Sequence, residues 1–76
     1  MKRPGSSYQR QAIAVYLRAR GTAETEIQGT IDRVVVWLDS NAITPERFRS
    51  FSYPALRNAI ETALVETGGS NGIFDN

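Results

Sequence analysis

Apolar residues recur along this chain at the three-to-four-residue spacing of helices, not with the alternation of strands. Ile27, Ile31, Val34, Val35, Leu38 and Ala42 fall at i, i+4, i+7, i+8, i+11 and i+15, one face of a single helix. Tyr8, Ala12, Val15, Tyr16 and Ala19 form an earlier stripe, which Ile13 and Leu17 widen. Leu56, Ala59, Ile60, Ala63 and Leu64 form a later one. The run Val34 to Leu38 has strong strand propensity. No second such run exists to pair with it, and a lone strand leaves its backbone groups unsatisfied, so the helical period decides. Gly29 inside this segment costs about 1 kcal/mol relative to alanine and weakens its first turns without breaking the pattern.

Start and stop signals divide the chain at matching places. Pro4, Gly5, Ser6 and Ser7 read as the end of a flexible arm over residues 1–7, with Ser6 or Ser7 as a helix N-cap. Gly21 is a helix stop, Thr22 the next N-cap, and Glu24 and Glu26 suit a first turn. Asn41 ends that helix. Thr44-Pro45-Glu46 is a cap, a first-turn proline and a first-turn acid. Ser52-Tyr53-Pro54 restarts the chain, and Gly68-Gly69 stops it. The expectation is an all-α domain of four helices near 8–20, 22–40, 45–51 and 54–67, with a helical core over 8–67 and a mobile tail over 68–76. In its core, Ile27, Ile31, Val34, Val35 and Leu38 pack on Val15, Tyr16, Leu56, Ile60 and Leu64. Phe48 and Phe51 of the short third helix join them.

Composition sharpens this picture mainly by exclusion. The 76 residues allow one domain, which buries only ~60% of the surface its unfolded chain exposes. A core of that size rarely gives more than ~3–5 kcal/mol. With no cysteine there is no disulfide and no thiol nucleophile, and with no histidine the commonest general base and metal ligand is missing. Self-association or docking on a partner remains as a source of extra stability. No apolar stretch reaches the ~18–20 residues of a membrane helix. The basic opening MKRPGSSYQR leads into no clean apolar run, so no secretory signal is expected and the setting is cytoplasmic.

No phosphate loop, nucleophile elbow or paired-carboxylate motif is present. The glycines of residues 68–72 follow a helix instead of linking a strand to one. Glu24 with Glu26, and Glu61 with Glu66, lie in no apolar setting that would tune an acid and a base, and they read as solvated helix charges. The expectation is a non-enzyme with no cofactor, no metal and no small-molecule substrate.

Two binding readings stay open. Net charge is +1, but the sign alternates by segment. Residues 1–20 hold Lys2, Arg3, Arg10, Arg18 and Arg20 and no acid, whereas the second helix is acidic. The helices can match one another electrostatically, or two copies can. Val36 falls on the side of the second helix opposite its apolar face, among Gly29, Asp32 and Arg33, and Trp37 lies at the edge of that face. The first reading is therefore a small accessory protein that docks stoichiometrically, as an adaptor, inhibitor or assembly factor of the kind mobile elements encode, and that forms a homodimer. Its interface residues are Val36, Trp37, Tyr53 and Phe74, tryptophan being enriched at such hot spots. The alternative is a nucleic-acid contact through Lys2, Arg3, Arg10, Arg18 and Arg20, with Tyr8 and Tyr16 as stacking platforms. A helix-turn-helix reading head is disfavoured, because Glu24 and Glu26 would face phosphates.

Tyr16-Leu17-Arg18, Thr22-Ala23-Glu24-Thr25, Asp32-Arg33-Val34-Val35-Val36-Trp37-Leu38 and Ile43-Thr44 together resemble the small helical core-binding domain of tyrosine recombinases. In that family one helix ends, a small polar cap follows, and a second helix closes on an aromatic-leucine pair. The resemblance covers less than half of the chain and implies a DNA-associated role. The chain departs from the family in ending with a glycine-rich tail after its fourth helix and in lacking a catalytic domain with its Arg, His and Tyr. No functional residue is carried over.

Overall fold

A computed structural model describes residues 4–67 and shows an all-α domain. Its helices are α1 (Ser7–Ala19), α2 (Glu24–Ser40), α3 (Pro45–Arg49) and α4 (Tyr53–Glu66). No residue among those described forms a strand. The long helix α2 is central and packs against both α1 and α4, while α3 packs against α1.

Each helix starts where a side chain can take up its orphan N–H groups, with one exception. At α1 the Ser6 Oγ accepts from the Gln9 N–H at 3.1 Å, and the Gln9 Oε1 accepts from the Ser6 N–H at 3.0 Å, a reciprocal capping box. Thr44 caps α3 through the Arg47 N–H at 3.2 Å, and Ser52 caps α4 through the Ala55 N–H. The exception is α2. Thr22 was the expected cap, but Ala23 occupies that position and makes no side-chain cap. The reason lies in how α1 stops. Gly21, at φ +94°, donates to Arg18 O, and Thr22 N–H reaches back to Leu17 O at 3.0 Å. These are the paired bonds of a Schellman stop, which consumes Thr22 before α2 can begin.

The second corner repeats the motif. Asn41 is the C-cap of α2, Ala42 N–H donates to Asp39 O, and Ile43 N–H to Leu38 O at 2.9 Å. Ala42, assigned by its spacing to the apolar stripe, instead lies outside the helix at φ +61° and exposed. Ile43 turns back onto the core.

The core contains Ile13 and Leu17 of α1, Ile27, Ile31, Val34, Val35 and Leu38 of α2, Phe48 of α3, and Ile60 and Ala63 of α4. The expected register of α2 therefore holds. That of α1 is rotated: Val15 is 61% exposed, and Tyr8 and Ala19 are also exposed. The buried line of α1 runs Gln9, Ile13, Leu17, with Tyr16 half-buried beside it. Tyr, Val and Ala are tolerated at a surface, whereas Ile and Leu at i and i+4 give the largest return on burial. Leu56 and Leu64 are half-buried and Phe51 packs at the core's edge, its ring 6.0 Å from that of Phe48.

Pro4 to Ser6, assigned to the arm, lie against α2. An added Cβ at Gly5 would sit 2.9 Å from Val35 Cγ2, and Gly5 has φ +89°. Residues of the arm before Pro4, and the tail with its Gly68-Gly69 stop, are outside the described residues.

Candidate functional site

Two surfaces carry the residues singled out by the sequence, and they differ in how fully the chain's own groups occupy them. The first is the polar side of α1. Arg10 is held from three directions: Nη1 lies 2.8 Å from Asp32 Oδ1 and 2.8 Å from Pro4 O, and Nη2 lies 2.9 Å from Gln28 Oε1. Its side chain retains 15% exposure. Arg18 Nε meets Glu24 Oε2 at 2.7 Å across the α1–α2 corner. That hydrogen bond holds the Glu24 carboxyl below the usual carboxylate range and raises Arg18 further. Arg20 Nε lies 3.3 Å from Glu61 Oε2 on α4.

The same Glu61 oxygen accepts a short hydrogen bond from the Tyr16 hydroxyl. Burial, followed by this hydrogen bond to a carboxylate, raises the Tyr16 phenol above its ordinary value. Glu66, the other acid of the pair considered for catalysis, accepts from Trp37 Nε1 at 2.9 Å. Both acids thus clamp α4 to its neighbours. Among the described residues no group of acids is arranged to hold a metal ion.

The second surface is the outward side of α2. Val36 is 54% exposed there, with Asp32, Arg33, Asp39 and Ser40 around it. Seven residues earlier on the same side, the space beside Gly29 is open, with no atom within 4 Å of an added Cβ. Val36 lines two adjoining depressions. One is a groove bordered by Pro4, Gly5, Val35, Ser40 and Pro45. The other is shallow and bordered by Asp32, Arg33 and Thr67, the last described residue. Trp37 is half-buried at the edge of this side and is tied to Glu66.

The interface residues named from sequence are therefore not one patch by virtue of α2 alone. Val36 and Trp37 are neighbours at one side of the domain. Tyr53 is 63% exposed at the first turn of α4, whereas Trp37 meets that helix at its last turn. Phe74 lies outside the described residues, as do Lys2 and Arg3. Sequence reading missed the groove beside Val36, because its wall includes Pro4 and Gly5. The positive φ that brings Gly5 onto Val35 leaves no sequence signal beyond the glycine itself.

Another cluster was also not anticipated. Tyr8, 45% exposed, meets Phe48 edge-to-face at 6.2 Å, and the Arg49 guanidinium lies 4.9 Å above its ring. The cluster joins the start of α1 to α3 and leaves Tyr8 with one face already covered by a cation.

No helix among the described residues is long and apolar enough to cross a membrane. Comparison with protein families, curated proteins and solved structures finds no match, so the likeness to the core-binding domain of tyrosine recombinases rests on the quoted residues alone.

Proposed function

We propose that this chain is a non-catalytic protein-binding module that acts by stoichiometric docking through the outward side of α2, with a second copy of itself as the first candidate partner. The observation that supports it is Val36, a branched aliphatic more than half exposed on the central helix, at the junction of two depressions. The open space at Gly29 permits another backbone to approach α2 closely on the same side. A small core without disulfides gains from such an association, since whatever binds only the folded state stabilises it. An adaptor, inhibitor or assembly factor fits this description, and the setting proposed is the cytosol, on composition alone. The nucleic-acid alternative gains nothing from the placement of Arg10, Arg18 and Arg20, because each faces a carboxylate of its own chain.

Val36→Glu tests the proposal by sedimentation or light scattering, with circular dichroism as the control. Assembly should weaken, while helix content stays and stability moves by no more than about 0.5 kcal/mol, as for an exposed position. A parent protein that is monomeric at high micromolar concentration, and indistinguishable from Val36→Glu toward every candidate partner, overturns it. A salt-sensitive mass shift with random duplex DNA would instead favour the alternative.

A further inference from the structure

Glu26, Gly29, Arg33 and Val36 follow one another at i, i+3, i+7 and i+10 along the outward side of α2, and all four are exposed. Glu26 and Arg33 border one depression, together with Val65 of α4, and Arg33 and Val36 border the next. The stripe is therefore continuous, and Val65, 66% exposed, adds a second aliphatic beside it. Arg10, Arg18 and Arg20 each meet a carboxylate of their own chain, but among the described residues neither Glu26 nor Arg33 enters an ion pair. One acid and one base thus stand open on either side of Gly29, along a helix whose surface there has no side chain.

We infer that two copies pair α2 against α2 in antiparallel sense, crossing at Gly29, with Glu26 of each copy against Arg33 of the other. The inference rests on the protein-docking reading and gives it one partner and one register. Charge selects the sense. A two-fold axis parallel to α2 would set Glu26 on Glu26 and Arg33 on Arg33. A two-fold across the helix, between Gly29 and Thr30, sets acid on base twice over. With a rise of about 1.5 Å per residue, Glu26 and Arg33 each lie about 5 Å along the helix from that axis. Both lean toward α4, whose residues share their depression, and a two-fold across the helix keeps them on that side. The open space beside Gly29 lets the two backbones close to the distance at which these side chains meet. Val36 then falls against the first turn of the other copy's α2, where exposed Thr25 offers a methyl group.

Glu26→Arg and Arg33→Glu test the pairing by sedimentation equilibrium at low salt, each alone and the two mixed in equal amounts, with circular dichroism to follow the fold. Each variant alone opposes like charges twice, so its dimer dissociation constant should rise about tenfold or more. The mixture should recover the parent's affinity, because one chain then supplies two bases and the other two acids. Added salt should weaken the dimers of the parent and of the mixture alike. Glu26→Gln and Arg33→Gln should give a smaller weakening of the same sign, and they carry the test if a reversal disturbs the helix. A mixture that stays as dissociated as its components overturns the inference. So do single variants that associate as tightly as the parent, and so does a parent that is monomeric at high micromolar concentration. Failure of the docking reading looks different. Dissociation by Val36→Glu without any response to the charge variants leaves docking standing and sinks this pairing. Complementation between the charge variants, with Val36→Glu associating like the parent, keeps the pairing and overturns docking through Val36.

Discussion

The two sides of α2 share one helix geometry but divide its aliphatics unequally, five inward and Val36 alone outward. On the inner side Ile27, Ile31, Val34 and Leu38 are each 1% exposed or less. On the outer side Val36 stands at 54% with the open space of Gly29 one heptad before it. Val34, Val35 and Val36 are consecutive and chemically identical. The 100° turn per residue separates them, sending two inward and one out. Burial here is thus a property of position in the helix period rather than of residue type. An exposed valine of this kind costs the monomer little to keep.

Truncation on the inner side should produce the largest effect. Leu38→Ala removes a fully buried side chain at the centre of the core and should cost about 2–5 kcal/mol. That is comparable with the whole stability of a domain this size. Chemical denaturation or a thermal melt by circular dichroism should find it largely unfolded. A Leu38→Ala protein with the parent melting temperature would erase the distinction between the two sides.

Two glycines sharpen the comparison because the same substitution should act on them with opposite signs. Gly5→Ala puts a Cβ 2.9 Å from Val35 on a backbone at φ +89°. Left-handed strain of about 1–2 kcal/mol and overpacking of about 1–3 kcal/mol both oppose it, so a loss of about 2 kcal/mol or more is expected. Gly29→Ala meets open space in a helix and should stabilise by about 1 kcal/mol. If the outer side docks another backbone at Gly29, the same change lowers affinity while raising the melting temperature. Opposite movement of those two quantities is hard to obtain in any other way.

The parts of this molecule legible in its sequence are those set by strong local preferences. The five aliphatics of α2 fixed its inward direction, Thr44-Pro45 announced α3 at the residue where it begins, and Ser52-Tyr53-Pro54 marked the start of α4 one residue late, at Pro54 instead of Tyr53. The direction of α1 was harder to read, since Tyr8, Ala12, Val15, Tyr16 and Ala19 form as regular a stripe as Gln9, Ile13 and Leu17. Only tertiary contact with α2 and α3 selects between them. Gln9 is buried because it answers Ser6 in the capping box, a pairing that hydrophobicity patterns do not reveal. The alternating charges did foretell the matching of helices: Arg10 to Asp32, Arg18 to Glu24 and Arg20 to Glu61 each join a basic segment to an acidic one. The exposure of Val36 was also legible, since the period of α2 dictates it once the inward side is known.

The two corners on either side of α2 give the smallest expected effect and the cleanest contrast between a readable and an unreadable signal. Both close with the same pair of backbone hydrogen bonds, and both need a residue in the left-handed region. The first has Gly21 there at φ +94°, and a glycine after a helical stripe announces itself. The second has Ala42 at φ +61°, which by spacing alone continues the stripe from Leu38. An L-residue in this conformation costs roughly 1–2 kcal/mol, and the corner keeps it because Ile43, the next residue, has to turn back onto the core. Ala42→Gly should relieve that strain. Against it stands the greater freedom glycine gives the unfolded chain, about 0.4–1 kcal/mol. The net expectation is a gain of about 0.5 kcal/mol, read as a small rise in the denaturation midpoint with an unchanged m-value. The outer side of α2 is untouched by this substitution, so association through Val36 should not move. A loss of stability on Ala42→Gly would mean that the residue is helical after all and that the inward side of α2 extends one turn further.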